Sequence, residues 1–269
     1  ALGVLMILGI FSSVFMAHMK LEAAYAARDA RQLKVHYLAV AGVEDAIGRL
    51  NSDSPSVDSY ADKWWFGKSP ELTPFGEGGY TVTVTDECAR LNVLTASPQM
   101  LSSILGGAKE DVAKALNYRS AATLFTVEGL AAADLGADAL SRVKTLGTTV
   151  GDGKVNINTV GADVLAALPG MDAKAAQLVI EFRKGPDGVE GSEDDFVFSA
   201  PRDLAKVPGF ESARTAAVIP LIDVKSKFFR VEAVGKLYRG ARVVGNKRIV
   251  AVLYREDNRN VSIRSWESS

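Results

Sequence analysis

The densest chemistry in the chain lies in residues 185–198, GPDGVEGSEDDFVF, where Asp187, Glu190, Glu193, Asp194 and Asp195 crowd a glycine-rich stretch. Glycine permits the tight turns that bring carboxylates and free carbonyls together, and such hard oxygen donors suit Ca²⁺. The spacing is not that of an EF-hand. An acidic loop can also stand simply solvated. Crowded carboxylates repel unless their charge is compensated, which favours a structural calcium ion fastening the loop. Asp187, Asp194 and Asp195 are the leading ligands, and Glu190 and Glu193 the weaker ones. Gly185, Gly188 and Gly191 set the shape.

Other chemistry is sparse. The two histidines, His18 and His36, both lie near the N-terminus, so none is left to activate a soluble serine or the single cysteine, Cys88. Ser12 and Ser13 fall in an apolar run, and neither a Walker phosphate loop nor an HExxH site is present. The expectation is a protein without enzymatic activity, in which Cys88 is a small buried apolar residue with no disulfide partner.

Two turns, residues 168–171 (LPGM) and 207–210 (VPGF), each stand between helical patterns, as in helix-hairpin-helix modules. Backbone amides in such turns can approach phosphate, and Lys174, Arg183, Lys184, Lys206 and Arg214 lie nearby. Against DNA stand Asp172 and Glu211 directly after the turns, and 31 basic against 32 acidic residues overall. Helix-pair packing is the simpler reading, with membrane-tethered DNA binding or uptake as the alternative.

These groups need a scaffold, and its first element is plain. Residues 1–19, ALGVLMILGIFSSVFMAHM, carry no Asp, Glu, Lys or Arg. As a helix rising about 1.5 Å per residue they nearly cross a hydrocarbon core about 30 Å thick. A basic start and a clear cleavage site, marks of a secretory signal, are absent. The chain continues without proline to Leu50, with Leu33, Tyr37, Val40, Ile47 and Leu50 spaced for one face of an amphipathic helix. One continuous helix from residue 1 to 50 is the simplest reading; an anchor followed by a separate helix, or a buried soluble helix, are the alternatives.

Residues 51–79 read as a proline- and glycine-punctuated loop held by Trp64, Trp65 and Phe66. YTVTVT at 80–85 alternates as a strand, as do KFFRVEAVGKL at 227–237, NKRIVAVLYRE at 246–256 and NVSIRSW at 260–266, with a turn over 240–245. They form one antiparallel sheet most economically, covered by the amphipathic half of the first helix. The fold class is therefore α+β, with a mostly helical region inserted between strands. The boundaries are 1–50 for the helix, 51–95 for the first part of the body, 96–222 for the insertion and 223–269 for the closing strands. Inside the insertion and just before it, RLNVLTASPQMLSSILG and KVNINTVGADVLAALPG echo one another: a basic residue, an extended segment with Asn, then Thr and a helix, Ser97-Pro98 opening the first. Duplication or two independent Asn/Thr turns would both produce this.

The ordered set ALGVLMILGIF, TVTVTDECARLNVLT, GKVNINTVGADVLAALPGM and KFFRVEAVGKL resembles the minor pseudopilin K family of bacterial type II secretion systems, over nearly the whole chain. That resemblance implies a pilin-like fold, prepilin-peptidase processing with methylation, and a single-pass inner-membrane protein whose soluble body lies in the periplasm. Ala1 would fit a processed start. It further implies a place at the pseudopilus tip, with the minor pseudopilins I, J and H, the major pseudopilin and the inner-membrane assembly platform as partners, and calcium as a bound ion. Members of this family lack the early glutamate of ordinary pilins, and here the first acidic residue is Glu22. Departures are the short segment GGAKEDVAKALNYRSAATLF and the lone Cys88 where relatives carry cysteine pairs. A minor pilin of a type IV pilus is the alternative within the same class.

Overall fold

The computed structural model describes residues 2–67, 70–121, 126–210, 212–258 and 260–269. The chain opens with helix α1 (Leu2–Ser52) and strands β1 (Thr73–Phe75), β2 (Gly78–Asp86) and β3 (Leu91–Asn92). Next come helices α2 (Pro98–Leu105), α3 (Lys109–Ala121) and α4 (Ala137–Leu146), then β4 (Gly147–Thr148) and β5 (Val155–Asn156). Helices α5 (Ala162–Ala166), α6 (Ala173–Arg183) and α7 (Ser212–Val218) lead to β6 (Ile222–Asp223). Strands β7 (Phe228–Arg239), β8 (Arg242–Arg255) and β9 (Val261–Ser268) close the chain.

Helix α1 runs unbroken for 51 residues because no proline interrupts its hydrogen-bond ladder. Its first part contains a stretch long and apolar enough to cross a membrane, none of it buried in the protein. The remainder lies on the sheet through Val35, Leu38, Ala39, Val43, Ala46 and Leu50. Leu33 and Tyr37, expected on this face, are 57% and 62% exposed. Leu50 is buried and Val40 and Ile47 pack against the sheet core, so the expected stripe holds at three of its five positions, while Ala39, Gly42 and Ala46 supply close contacts that large apolar side chains do not mark. A Cβ on Gly42 would stand 3.0 Å from both Ala233 Cβ and Val82 Cγ2, and one on Gly235 only 2.3 Å from the Val35 carbonyl. Helix and sheet therefore meet almost backbone to backbone.

The sheet is antiparallel in the order β1-β2-β7-β8-β9. Alternate residues Tyr80, Val82, Val84, then Phe229, Val231, Ala233, then Ile249, Ala251, Leu253 face α1 and fill one core with Trp64. The three-residue edge strand β1 was not foreseen. The β7–β8 turn is Gly240–Ala241 alone, shorter than the 240–245 expected, because β8 already pairs at Arg242 and an irregularity at Leu237/Tyr238 absorbs the extra residue.

Between β2 and β7 lies the helical insertion, with a separate core running from Leu91 to Val224. The echo seen in the sequence has a structural counterpart. Strand β3 pairs in parallel with β4, and β5 in parallel with β6. Asn92 Oδ1 accepts from Leu94 N, and Asn156 Oδ1 from Asn158 N, each at 2.9 Å. Arg119, at the end of α3, donates to the carbonyls of Val93 and Ala96; Arg183, at the end of α6, donates to those of Ile157 and Val160. Each arginine stands 27 residues beyond its asparagine. The same strand-turn-helix plan is thus plugged twice by an arginine returning from a later helix.

Candidate functional site

Two acidic sites emerge, one anticipated and one not. The anticipated loop leaves α6 at Arg183, whose carbonyl accepts from Phe196 N at 2.8 Å and so closes the loop's base. Asp194 accepts from Asp187 N at 3.1 Å and Ser192 Oγ at 2.6 Å, and those bonds hold its carboxyl below the usual range. Asp195 accepts from Gly191 N at 2.6 Å, and Asp187 from Val189 N at 2.7 Å. Glu190 is engaged by Arg183 Nη2 at 2.6 Å, while Glu193 is exposed. Gly191 is held at φ 85°, with the Trp65 ring so close that a Cβ there would lie 1.9 Å from it. Asp187 and Asp194 are thus brought together, and Asp195 shares Ser192 with Asp194.

The second site is the seam between the two cores. Just after α1, a turn in which Asp62 Oδ2 accepts from Ser59 N at 2.6 Å carries Asp62 beside Asp53 and Asp58. Carboxylate oxygens of these three residues lie within 4.8 Å of one another, the one such group of three among the described residues, and together they are capable of holding a metal ion. Arg255, the last residue of β8 and 1% exposed, donates to Asp58, to Asp53 at 3.3 Å and to the Ser226 carbonyl at 3.2 Å. Asp58 also accepts from Ser226 N at 2.8 Å.

Asp86, at the end of β2, accepts from Ser226 Oγ and Thr159 Oγ1 at 2.5 Å each, from Asn156 Nδ2 at 3.2 Å and from Cys88 N at 2.8 Å. Its neighbour Glu87 accepts from Thr148 Oγ1 and Arg230 Nε, each at 2.5 Å. Adjacent carboxylates at one strand end therefore hold one half of the insertion each: Asp86 the half with β5, Glu87 the half with β4. Burial pushes Asp58 up to about 7, against the lowering pull of Arg255, and also raises Asp53, Asp62 and Asp86.

Sequence reasoning missed this seam because its members lie far apart in the chain. The signal available was weak: Arg255 ends a hydrophobic strand, and Asp53, Asp58 and Asp62 sit in a serine-rich loop with Pro55. Asp58 is fully buried, so no substrate surface reaches it. Cys88 is partly buried, and burial pushes its thiol up to about 12, which disfavours the reactive thiolate. At the first PG turn, Asp172 itself caps α6 by accepting from Ala175 N at 2.8 Å and pairs with Arg214 at 3.0 Å. Lys206 of the second pairs with Asp203 at 2.9 Å. Both turns spend these groups on packing within the insertion. Glu211 lies outside the described residues.

No family of known proteins and no curated protein matches the chain in sequence. Among solved structures it is similar to one chain of the crystal structure of the GspK-GspI-GspJ complex from the type 2 secretion system of enterotoxigenic Escherichia coli. The TM-score is 0.67 at 13% identity, over 91% of this chain and 99% of that one. The likeness is one of fold: a pilin-like α+β body, long helix on antiparallel sheet, with an inserted helical region.

Proposed function

We propose that the chain is a non-enzymatic minor subunit of a type II secretion filament. Helix α1 anchors it in a bacterial inner membrane, and its body stands in the periplasm. It assembles at the filament tip with I- and J-type minor pseudopilins, above the H-type and major subunits and the inner-membrane platform.

The observation that carries this reading is α1: one helix, bare and apolar over its first part, packed on the sheet over its second. Such a helix can exchange lipid for the helices of neighbouring subunits without refolding the body. The likeness to a chain of the GspK-GspI-GspJ complex supports the choice of partners. Residues 2–21 carry no carboxylate, in keeping with a subunit that has no neighbour's amine above it to neutralise. Co-purification of the full chain in detergent with I- and J-type subunits tests the proposal. A defined complex is expected; failure to form one with the folded protein and calcium present, or selective capture of type IV pilus subunits, overturns it.

The acidic loop is proposed to bind structural Ca²⁺ through Asp187, Asp194 and Asp195, with Glu193 close by and Glu190 already committed to Arg183. The donor set fits: hard oxygens on a glycine turn, with Asp194 kept ionised. Calcium at about one hundred times its dissociation constant should stabilise the fold by about 2.7 kcal/mol. A melting temperature indifferent to chelator, with no metal on direct analysis, removes this part.

A further inference from the structure

The seam contains an imbalance that its own side chains leave open. Asp53, Asp58 and Asp62 bring three carboxylates into one space; among the described residues Arg255 is the cation bonded there, with Lys63 acting on Asp53 without a bond to it. Asp86, close by, is a separate matter, since four donors already satisfy it. Uncompensated charge in a buried site costs several kcal/mol per ion. Asp62 takes a backbone N–H from Ser59 but no guanidinium bond. Beside it the indole Nε1 of Trp64, fully buried, has no acceptor within hydrogen-bond distance. It faces the Asp62 carboxylate from further off. A buried donor left in that state costs about 1–3 kcal/mol.

We propose that Asp53, Asp58 and Asp62 bind one hydrated divalent cation, whose water accepts the Trp64 N–H, and that this ion fastens the pilin-like body to its helical insertion. Three carboxylates, one guanidinium and a divalent ion sum to zero charge. The donors are all carboxylate oxygen, which selects a hard ion of the Ca²⁺ or Mn²⁺ kind over thiophilic metals. Asp53 and Asp62 are partly exposed and Asp58 is fully buried, so the ion enters from the Asp53–Asp62 side. The fastening follows from what the ligands hold. Asp53 follows the end of α1, and Asp58 bonds Ser226 N through its side chain. The backbone carbonyl of Asp58 takes Asn156 Nδ2 from the insertion at 3.0 Å.

The test uses the full chain in detergent with the acidic loop disabled by Asp187→Asn and Asp194→Asn, so that the two sites are read separately. The protein is stripped with chelator, dialysed against millimolar Ca²⁺ or Mn²⁺ and assayed for bound metal. One equivalent is expected to remain, and adding Asp62→Asn is expected to remove it. Terbium supplied as the probe should show tryptophan-sensitised emission in the loop-disabled protein and lose it with Asp62→Asn. Absence of metal from the loop-disabled parent, which leaves the trio untouched, overturns the proposal. So does metal that persists after Asp62→Asn. Loss of metal from the wild-type chain on disabling the loop alone would leave calcium at the loop and none at the seam.

Discussion

Replacing Arg255 by methionine probes the seam most directly. Methionine keeps an apolar stem over the Phe229 ring, 5.0 Å from the guanidinium, but removes three donated bonds. Truncating one partner of a buried ion pair typically costs about 3–5 kcal/mol, because the other charge is left unpaired. Asp58 has an escape by taking a proton. Burial already places it at about 7 with Arg255 pulling it down, so without Arg255 it climbs further. In the unfolded chain it returns to its ordinary value of 3.8.

The folded variant thus holds a proton that the unfolded chain releases. This contribution to stability is fully present below the unfolded value and is lost as pH rises through the folded one. Its slope is about 1.4 kcal/mol per pH unit for each proton. The variant should therefore lose about 3–5 kcal/mol near about pH 8, and markedly less near about pH 5.5. Urea denaturation in detergent with chelator present, followed by tryptophan fluorescence, measures both. A loss under about 1 kcal/mol at the higher pH, or one that does not change with pH, would refute the reasoning.

Gly48 has open space around a built Cβ, whereas Gly42 does not. Gly48→Ala should stabilise α1 by about 0.8–1 kcal/mol, while Gly42→Leu should cost about 1–3 kcal/mol by forcing helix and sheet apart; equal shifts in urea midpoint would contradict that. Arg119→Met and Arg183→Met each leave two carbonyls without a donor, and the second should cost more because Arg183 is 4% exposed and also holds Glu190, as comparison of their unfolding curves will show. In the wild-type chain stripped of metal, Asp58, raised by burial to about 7, means that lowering pH from about 8 to about 6 should stabilise the fold. A steady loss of stability over that window would be the contrary result.

Much of the fold was legible because its signals are local. The absence of proline through Leu50 predicted one helix, alternation predicted β2, β7, β8 and β9, and Ser97-Pro98 predicted the start of α2, where Ser97 does accept from Met100 N. What was misread depended on partners. Of the large apolar residues spaced for the packed face of α1, Val40, Ile47 and Leu50 do meet the sheet core and Leu33 and Tyr37 do not; its closest contacts are written in Ala39, Gly42 and Ala46, residues whose value lies in what they omit. Strand β1 has three residues, too few to show a period. The acidic loop announced itself by crowding; the seam did not, because Arg255 meets Asp58 across 197 residues of chain. The repeated Asn and Thr were visible, but the arginine that completes each turn was noticed only once its carbonyl partners were in view.

The unbroken course of α1 has a mechanical consequence. The stretch from Leu2 to Lys34, ahead of the first buried residue, is about 50 Å long at about 1.5 Å per residue, some 20 Å more than a hydrocarbon core about 30 Å thick. In the membrane-anchored arrangement proposed above, the body would be carried clear of the headgroups on a stiff stalk. With no joint between stalk and sheet, tilting the apolar end by about 20° would swing the body sideways by about 15 Å or more. In that arrangement position and orientation outside the bilayer would be set together by the angle at which the chain leaves it, and an axial pull on either end would be transmitted straight into the sheet.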